Sequence, residues 1–186
     1  GHVSVTDPMG PDQYGYYIYD SGDTDYDLSP VYDWIEISSS GTNLNLSNSG
    51  NGNWSGNGPL ENVNLPFDFK FYGETYNEIT VCTNGWIAMG DSDAESFRNY
   101  PIPGAGGPPG MIAAFWDDLE TGNNGNVFVY STNDYVVIQW DNMRTNWNNS
   151  ANTFQVILYS ETSPPYSDNN IKIQYQDFNN TSSGSF

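Results

Sequence analysis

At 186 residues the chain is long enough for one domain with a proper core, and its 14 Tyr, 9 Phe and 6 Trp exclude the aromatic-poor composition of acidic disordered tails. Four Lys plus Arg against 23 Asp plus Glu give a formal net charge of -19, a field that repels phosphate backbones and anionic lipid. Nucleic acid is thereby excluded as a partner, and membrane insertion too, since there is no apolar run of about eighteen residues; divalent cations and neutral polymers remain.

Helical periodicity is nearly absent. Short β-branched and aromatic runs recur between Gly, Pro, Asn and Asp clusters, which predicts an all-β chain. Strands are expected at 14–19 and 32–38, on either side of an acidic stretch at 20–27. The Ser/Asn/Gly-rich span 38–58, with Trp54 alone in its middle, is expected to be mobile or functional. In a strand at 65–72, Phe67, Phe69 and Phe71 alternate with Asp68, Lys70 and Tyr72, so one face is aromatic and inward. Strands follow at 79–83 and 86–89, before a span at 100–110 whose Pro101, Pro103, Pro108 and Pro109 are too stiff for a strand interior. The remaining strands are expected at 110–116, 126–131, 135–141, 153–161 and 170–176, with an acidic hairpin loop at 117–126. In the last strand Ile171, Ile173 and Tyr175 are expected inward, alternating with Lys172, Gln174 and Gln176. This many short strands predicts a two-sheet antiparallel β-sandwich, jelly-roll-like, with long Gly/Asn/Ser/Pro-rich loops. It is read as one domain over 1–186: an acidic N-terminal segment at 1–40 packed on the sandwich, a mobile loop at 41–58, a core at 59–178 and a polar tail at 179–186.

Triad hydrolysis needs an imidazole, and the sole histidine is His2 at the extreme N-terminus, so that route is closed. Zinc of the ordinary type lacks its His and Cys ligands. Cys82 is the one cysteine, set in an apolar run as a small core residue; no internal disulfide is possible, which points toward a bacterial secreted protein. Paired-carboxylate glycoside hydrolysis could use only Asp117, Asp118 and Glu120, and a solvated acidic turn is the plainer account of them. Calcium is the one cofactor the residues could support. Asp20, Asp23, Asp25 and Asp27 crowd into eight residues, the last three at alternate positions. They form no EF-hand, since Leu28 stands at the glycine position and Trp34 at the bidentate-glutamate position, and an acidic Asx-turn loop open to water is the competing reading. Trp86, Trp116 and Trp140 lie in strand runs and are expected in the core. Trp54 and Trp147 sit among loop formers and are the candidate contacts for a glycan or a protein. Sequons at Asn45, Asn53, Asn148, Asn179 and Asn180 fit surface loops of a glycoprotein.

Several blocks in order resemble the nidogen-like extracellular domain family. PFDFKFYG at 66–73 resembles its opening strand, and ITVCTNGWIAMG at 79–90 its pair of strands joined at Asn-Gly. MIAAFWDDLE at 111–120, followed by NVFVY at 126–130, resembles its block of apolar run, Phe-Trp, acidic pair and hairpin, and VVIQWD at 136–141 and TFQVIL at 153–158 continue it. The N-terminal part resembles a segment that accompanies such domains in large secreted bacterial proteins, including gingipain-type peptidases, where it is an accessory module. The resemblance implies a secreted or cell-surface accessory module without catalytic residues; together with the acidic 20–27 loop and the loop tryptophans, the chain is read as an adhesive module contacting protein or glycan and stabilised by calcium. The alternatives are a structural subunit of an extracellular assembly completed by strand exchange, and a glycan-binding module. In register the resemblance stops at Phe178, where the family has further strands. The sheet holding residues 171–175 is therefore expected to have an unpaired edge, or to be completed by residues 14–19 of this or a neighbouring chain, or by a strand of a following domain.

Overall fold

The computed structural model describes residues 4, 6–54, 56–122, 124–146, 150–165 and 167–179. By its contacts the chain divides into two compact units, Gly1–Ile35 and Glu36–Phe186.

Neither strand expected in the first 38 residues forms. Within the first unit, residues 14–19 contribute a single antiparallel bridge, Met9 to Ile18. Polar side chains take up the local backbone donors instead: one Asp12 carboxylate oxygen accepts from the amides of Tyr14, Gly15 and Tyr16. An Asx turn of this kind competes with strand pairing for the same N–H groups.

The second unit carries ten strands among the described residues: β1 (Thr42–Asn43), β2 (Leu60–Phe71), β3 (Glu74–Cys82), β4 (Trp86–Met89), β5 (Met111–Ala113), β6 (Leu119–Glu120), β7 (Asn126–Ser131), β8 (Tyr135–Thr145), β9 (Ala151–Ser163) and β10 (Asp168–Phe178). They form two antiparallel sheets, one in the order β1-β7-β8-β9-β10 with β6 paired to β8, the other β2-β3-β4-β5. Their inner faces meet as a β-sandwich, joined where the Trp140 indole donates to the Cys82 carbonyl at 2.8 Å.

The pleat of β2 runs as its alternation predicts, with Phe69 and Phe71 buried and Asp68 exposed. Trp86, Trp140, Phe69, Phe154, Ile79, Ile87 and Ile138 are fully buried, and Trp140 stacks on Phe154 with centroids 5.0 Å apart. Trp86 and Trp116 both donate to the Ser96 carbonyl, which lets two indoles sit in the interior with no orphaned N–H. The turn between β3 and β4 needs glycine twice over: Gly85 has φ of 78°, and a Cβ there would fall on the Phe115 carbonyl.

The span expected to be a mobile loop is tied to this framework. It contains β1, paired to β7, together with buried Leu46 and Asn48. Asn48 donates to Thr83 Oγ1 and Asn84 Oδ1, and its backbone N–H and C=O both bond to Thr121. Asn, Ser and Thr that read as loop formers serve here as hydrogen-bonding cross-links.

A second polar feature lies on the face of the larger sheet opposite the aromatic layer. Gln139 pairs across to Gln155, and Gln155 to Gln174, so three glutamines form one row over β8, β9 and β10. All are buried; Gln174 Nε2 donates to Gln155 Oε1, and Gln139 donates to Glu36 while accepting from the Ile37 amide. The last strand thus reverses the expected exposure. Ile173 and Tyr175 do point to the aromatic side, but at the margin of the sandwich they are 37% and 44% exposed, whereas Gln174 is 3% exposed.

Candidate functional site

The acidic loop of the first unit is built from turns. Asp20 accepts from the Gly22 amide through Oδ1, and Asp23 accepts from the Asp20 amide through Oδ2 at 2.8 Å. Asp23 is 1% exposed and its Oδ1 has no hydrogen-bond partner, while Asp20, Asp25 and Asp27 lie on the surface. Among the described residues no three His, Cys, Asp or Glu side chains gather into a group that could hold a metal ion, so the four predicted ligands do not form a ready-made cage. The loop does hold a buried carboxylate oxygen that lacks a donor. Tyr26 donates to Asp7 nearby, and that carboxylate raises the phenol's affinity for its proton.

The second acidic segment, the one considered for hydrolysis, is built into the fold. Asp118 is 2% exposed, and its Oδ2 accepts from the Asn51 amide and from Asn146 Nδ2. Its main-chain N–H donates to the Asp117 carboxylate, and Glu120 forms an ion pair with Arg144 at 3.2 Å. Burial pushes the Asp117 carboxyl above the usual carboxylate range, an effect opposed by the Asp118 amide and reinforced by the Asp118 charge. Asp118, through the Asn51 amide, and Thr121, through the Asn48 backbone, hold the spans 48–51 and 117–121 together. Burial raises the pKa of the Cys82 thiol to about 12, which keeps it protonated at neutral pH.

The tryptophans separate as their neighbours predict. Trp86 and Trp140 are 0% exposed and Trp116 7%, whereas Trp54 is 42% exposed on a loop flanked by Gly52 and Gly58. Trp147 and His2 lie outside the described residues.

The feature that reasoning from residues could place but not describe is the apolar margin along β10. Among the described residues β10 pairs only with β9. Exposed Ile173, Tyr175 and Phe178 line this margin; Tyr175 and Phe178 are in edge contact at 5.4 Å, and Phe178 packs on Phe115 at 4.7 Å. The Tyr175 hydroxyl donates to the Ala114 carbonyl, fixing the ring with one face in the core and the other toward solvent.

Compared with known proteins, residues 26–186 match a family model described as NIDO related. No solved structure matches the chain.

Proposed function

This chain belongs to the NIDO-related family, and on that premise we propose that it is a non-catalytic extracellular interaction module, an accessory domain of a larger secreted or cell-surface protein. The observation that carries the reading is the cluster of exposed Ile173, Tyr175 and Phe178 along β10, large apolar side chains gathered at the margin of a sheet. The buried, protonated Cys82 thiol and the hydrogen bonds that occupy Asp118 support a role in contact rather than chemistry. The test is retention on immobilised matrix proteins and a glycan array, run beside peptidase and glycosidase substrates. Retention that falls in Tyr175→Lys with no turnover is expected; turnover, or retention indifferent to Tyr175→Lys and Phe178→Ser, would overturn the reading.

Two finer statements belong to the same proposal. Calcium stabilises the first unit, with Asp23 Oδ1 as the anchoring ligand and Asp20, Asp25 and Asp27 folding in around the ion; the support is the buried oxygen without a donor. At a calcium concentration a hundred times its dissociation constant, stability should rise by about 2.7 kcal/mol. Asp23→Asn should abolish that rise. A melting curve identical in calcium and in chelator would sink this part alone. Trp54, exposed beside two glycines, favours a glycan as the second class of partner, which Trp54→Ala on the same array would test.

A further inference from the structure

The loop that carries Trp54 meets the connection from β4 to β5 at Gly52. A Cβ built on Gly52 would lie 3.5 Å from Phe97 Cε1 and 3.6 Å from Trp54 Cζ3, so the two rings border one glycine that adds no side chain of its own. Trp54 is exposed and Phe97 half-buried. Over the Phe97 ring stands the Arg98 guanidinium, its Cζ 5.6 Å from the ring centroid and so in cation–π range.

Both loops are held in place by the framework beneath them. The Ser96 carbonyl accepts from the Trp86 and Trp116 indoles at 2.8 and 3.1 Å, which pins the chain next to Phe97 to two core residues. On the other side the Ser49 amide donates to the Asn53 carbonyl at 2.8 Å, the Asn53 amide to the Gly50 carbonyl at 2.9 Å, and the Asn51 amide to buried Asp118. A ligand meeting these rings finds them already positioned, so little of its affinity is lost to ordering them.

Charge decides what that ligand carries. Carboxylates outnumber Lys and Arg by 23 to 4 in this chain, and Lys70 and Arg144 each form an ion pair, with Asp168 and Glu120. Arg98 is exposed and, among the described residues, forms no salt bridge. A guanidinium over a ring keeps its N–H donors for a planar anion, which it grips through two parallel hydrogen bonds. The rings beside it offer apolar area to the C–H face of a pyranose. A net charge of -19 repels a densely charged polymer, which favours a single anion on an otherwise neutral body.

We infer that Trp54, Phe97 and Arg98 form a binding site for an acidic sugar, a short oligosaccharide with a pyranose on the rings and one carboxylate paired with Arg98. This rests on the reading of Trp54 as a glycan contact and names the class of glycan.

The test is an array of neutral, carboxylated and sulfated oligosaccharides, followed by NMR titration of the whole chain with sialyllactose and a digalacturonide, each beside its methyl ester, and with a tetraglutamate peptide. At least one acid form should bind, about ten-fold tighter than its ester. Arg98→Gln should erase that difference. Asn133→Asp, which makes the same change in net charge at an exposed position elsewhere, should preserve it, and Trp54→Ala should weaken acid and ester alike, with circular dichroism verifying the fold of each variant. Equal binding of acid and ester, a preference that survives Arg98→Gln or falls equally with Asn133→Asp, or tetraglutamate bound as tightly as the sugar would overturn the inference. If neutral glycans bind through Trp54 with no preference for the acid, the glycan reading stands and the role of Arg98 falls. If no glycan binds while Tyr175-dependent retention on a matrix protein persists, this site is refuted and the interaction-module reading remains.

Discussion

The outer strands β2 and β10 belong to different sheets and are in contact with each other, yet they handle the same hazard differently. β2 is guarded by Pro66 and by a break in its ladder, and its last residues are clasped: the Lys70 amide donates to Asn169 Oδ1 at 2.6 Å, and the Lys70 ammonium lies 3.5 Å from Asp168. β10 supplies that clasp with its first two residues, and among the described residues the only strand it pairs with is β9. An edge can therefore be closed by side chains where no strand covers it.

If the two edges differ in protection rather than in anchoring, emptying the core beneath either should cost the same. Trp140→Ala, beneath β10 by way of Phe154 and Tyr175, and Phe69→Ala, within β2, should each cost about 3–5 kcal/mol in denaturant unfolding. A much smaller value for Trp140→Ala would mean that β10 is held by its margin and not by the core. Next in size is the clasp. Asn169 also donates to the carbonyls of Tyr159 and Ser160, so Asn169→Ala leaves several polar groups without a partner and should lower stability by about 1–3 kcal/mol. Hydrogen exchange at Lys70 should rise with it, while protection of β3 and β4 stays intact.

Much of this architecture was legible in the chain. The phenylalanine alternation of β2, the paired strands around Asn84-Gly85 and the loop position of Trp54 follow from period, turn chemistry and neighbours. What was not legible has a common cause, the amide side chain. Asn48, Asn84 and Asn146 read as loop residues and proved to be cross-links, and Gln174 read as a solvated position and proved to be buried beside Gln155. Period and composition rank such residues as polar; only the partner across space decides whether they are wet or enclosed. The same holds for the N-terminal 35 residues, where Asp12, Asp20 and Asp23 capture backbone amides that a strand would have used.

The smallest effects concern charge and the guard itself. Burial raises the carboxyls of Asp117 and Asp141, the latter also through the Glu36 charge, above their unfolded values. A raised carboxyl favours the folded state once protonated, so its contribution is lost as pH rises through the folded value and recovered on descent toward the ordinary carboxylate range near about pH 4. Relief of the repulsion within a chain of net charge -19 acts in the same direction. The melting temperature should therefore rise as pH is lowered from neutrality; a monotonic fall would show that the ion pairs Lys70–Asp168 and Glu120–Arg144 dominate instead. Pro66→Ala should lower stability by no more than about 1 kcal/mol through the freer unfolded chain. It should also make β2 pairable, which light scattering would register as association beyond that of the unsubstituted chain.

The buried glutamine row has a consequence for how the larger sheet finds its alignment. Val, Ile and Leu are nearly interchangeable along β8 and β9, so a slide by two residues would keep apolar groups against apolar groups on the aromatic face. The same slide would bring the Gln155 amide opposite Val137 or Asp141 and strand the amides of Gln139 and Gln174 in a dry layer. Three amides thus act as a vernier, penalising each misaligned sheet where the hydrophobic pattern alone would tolerate it.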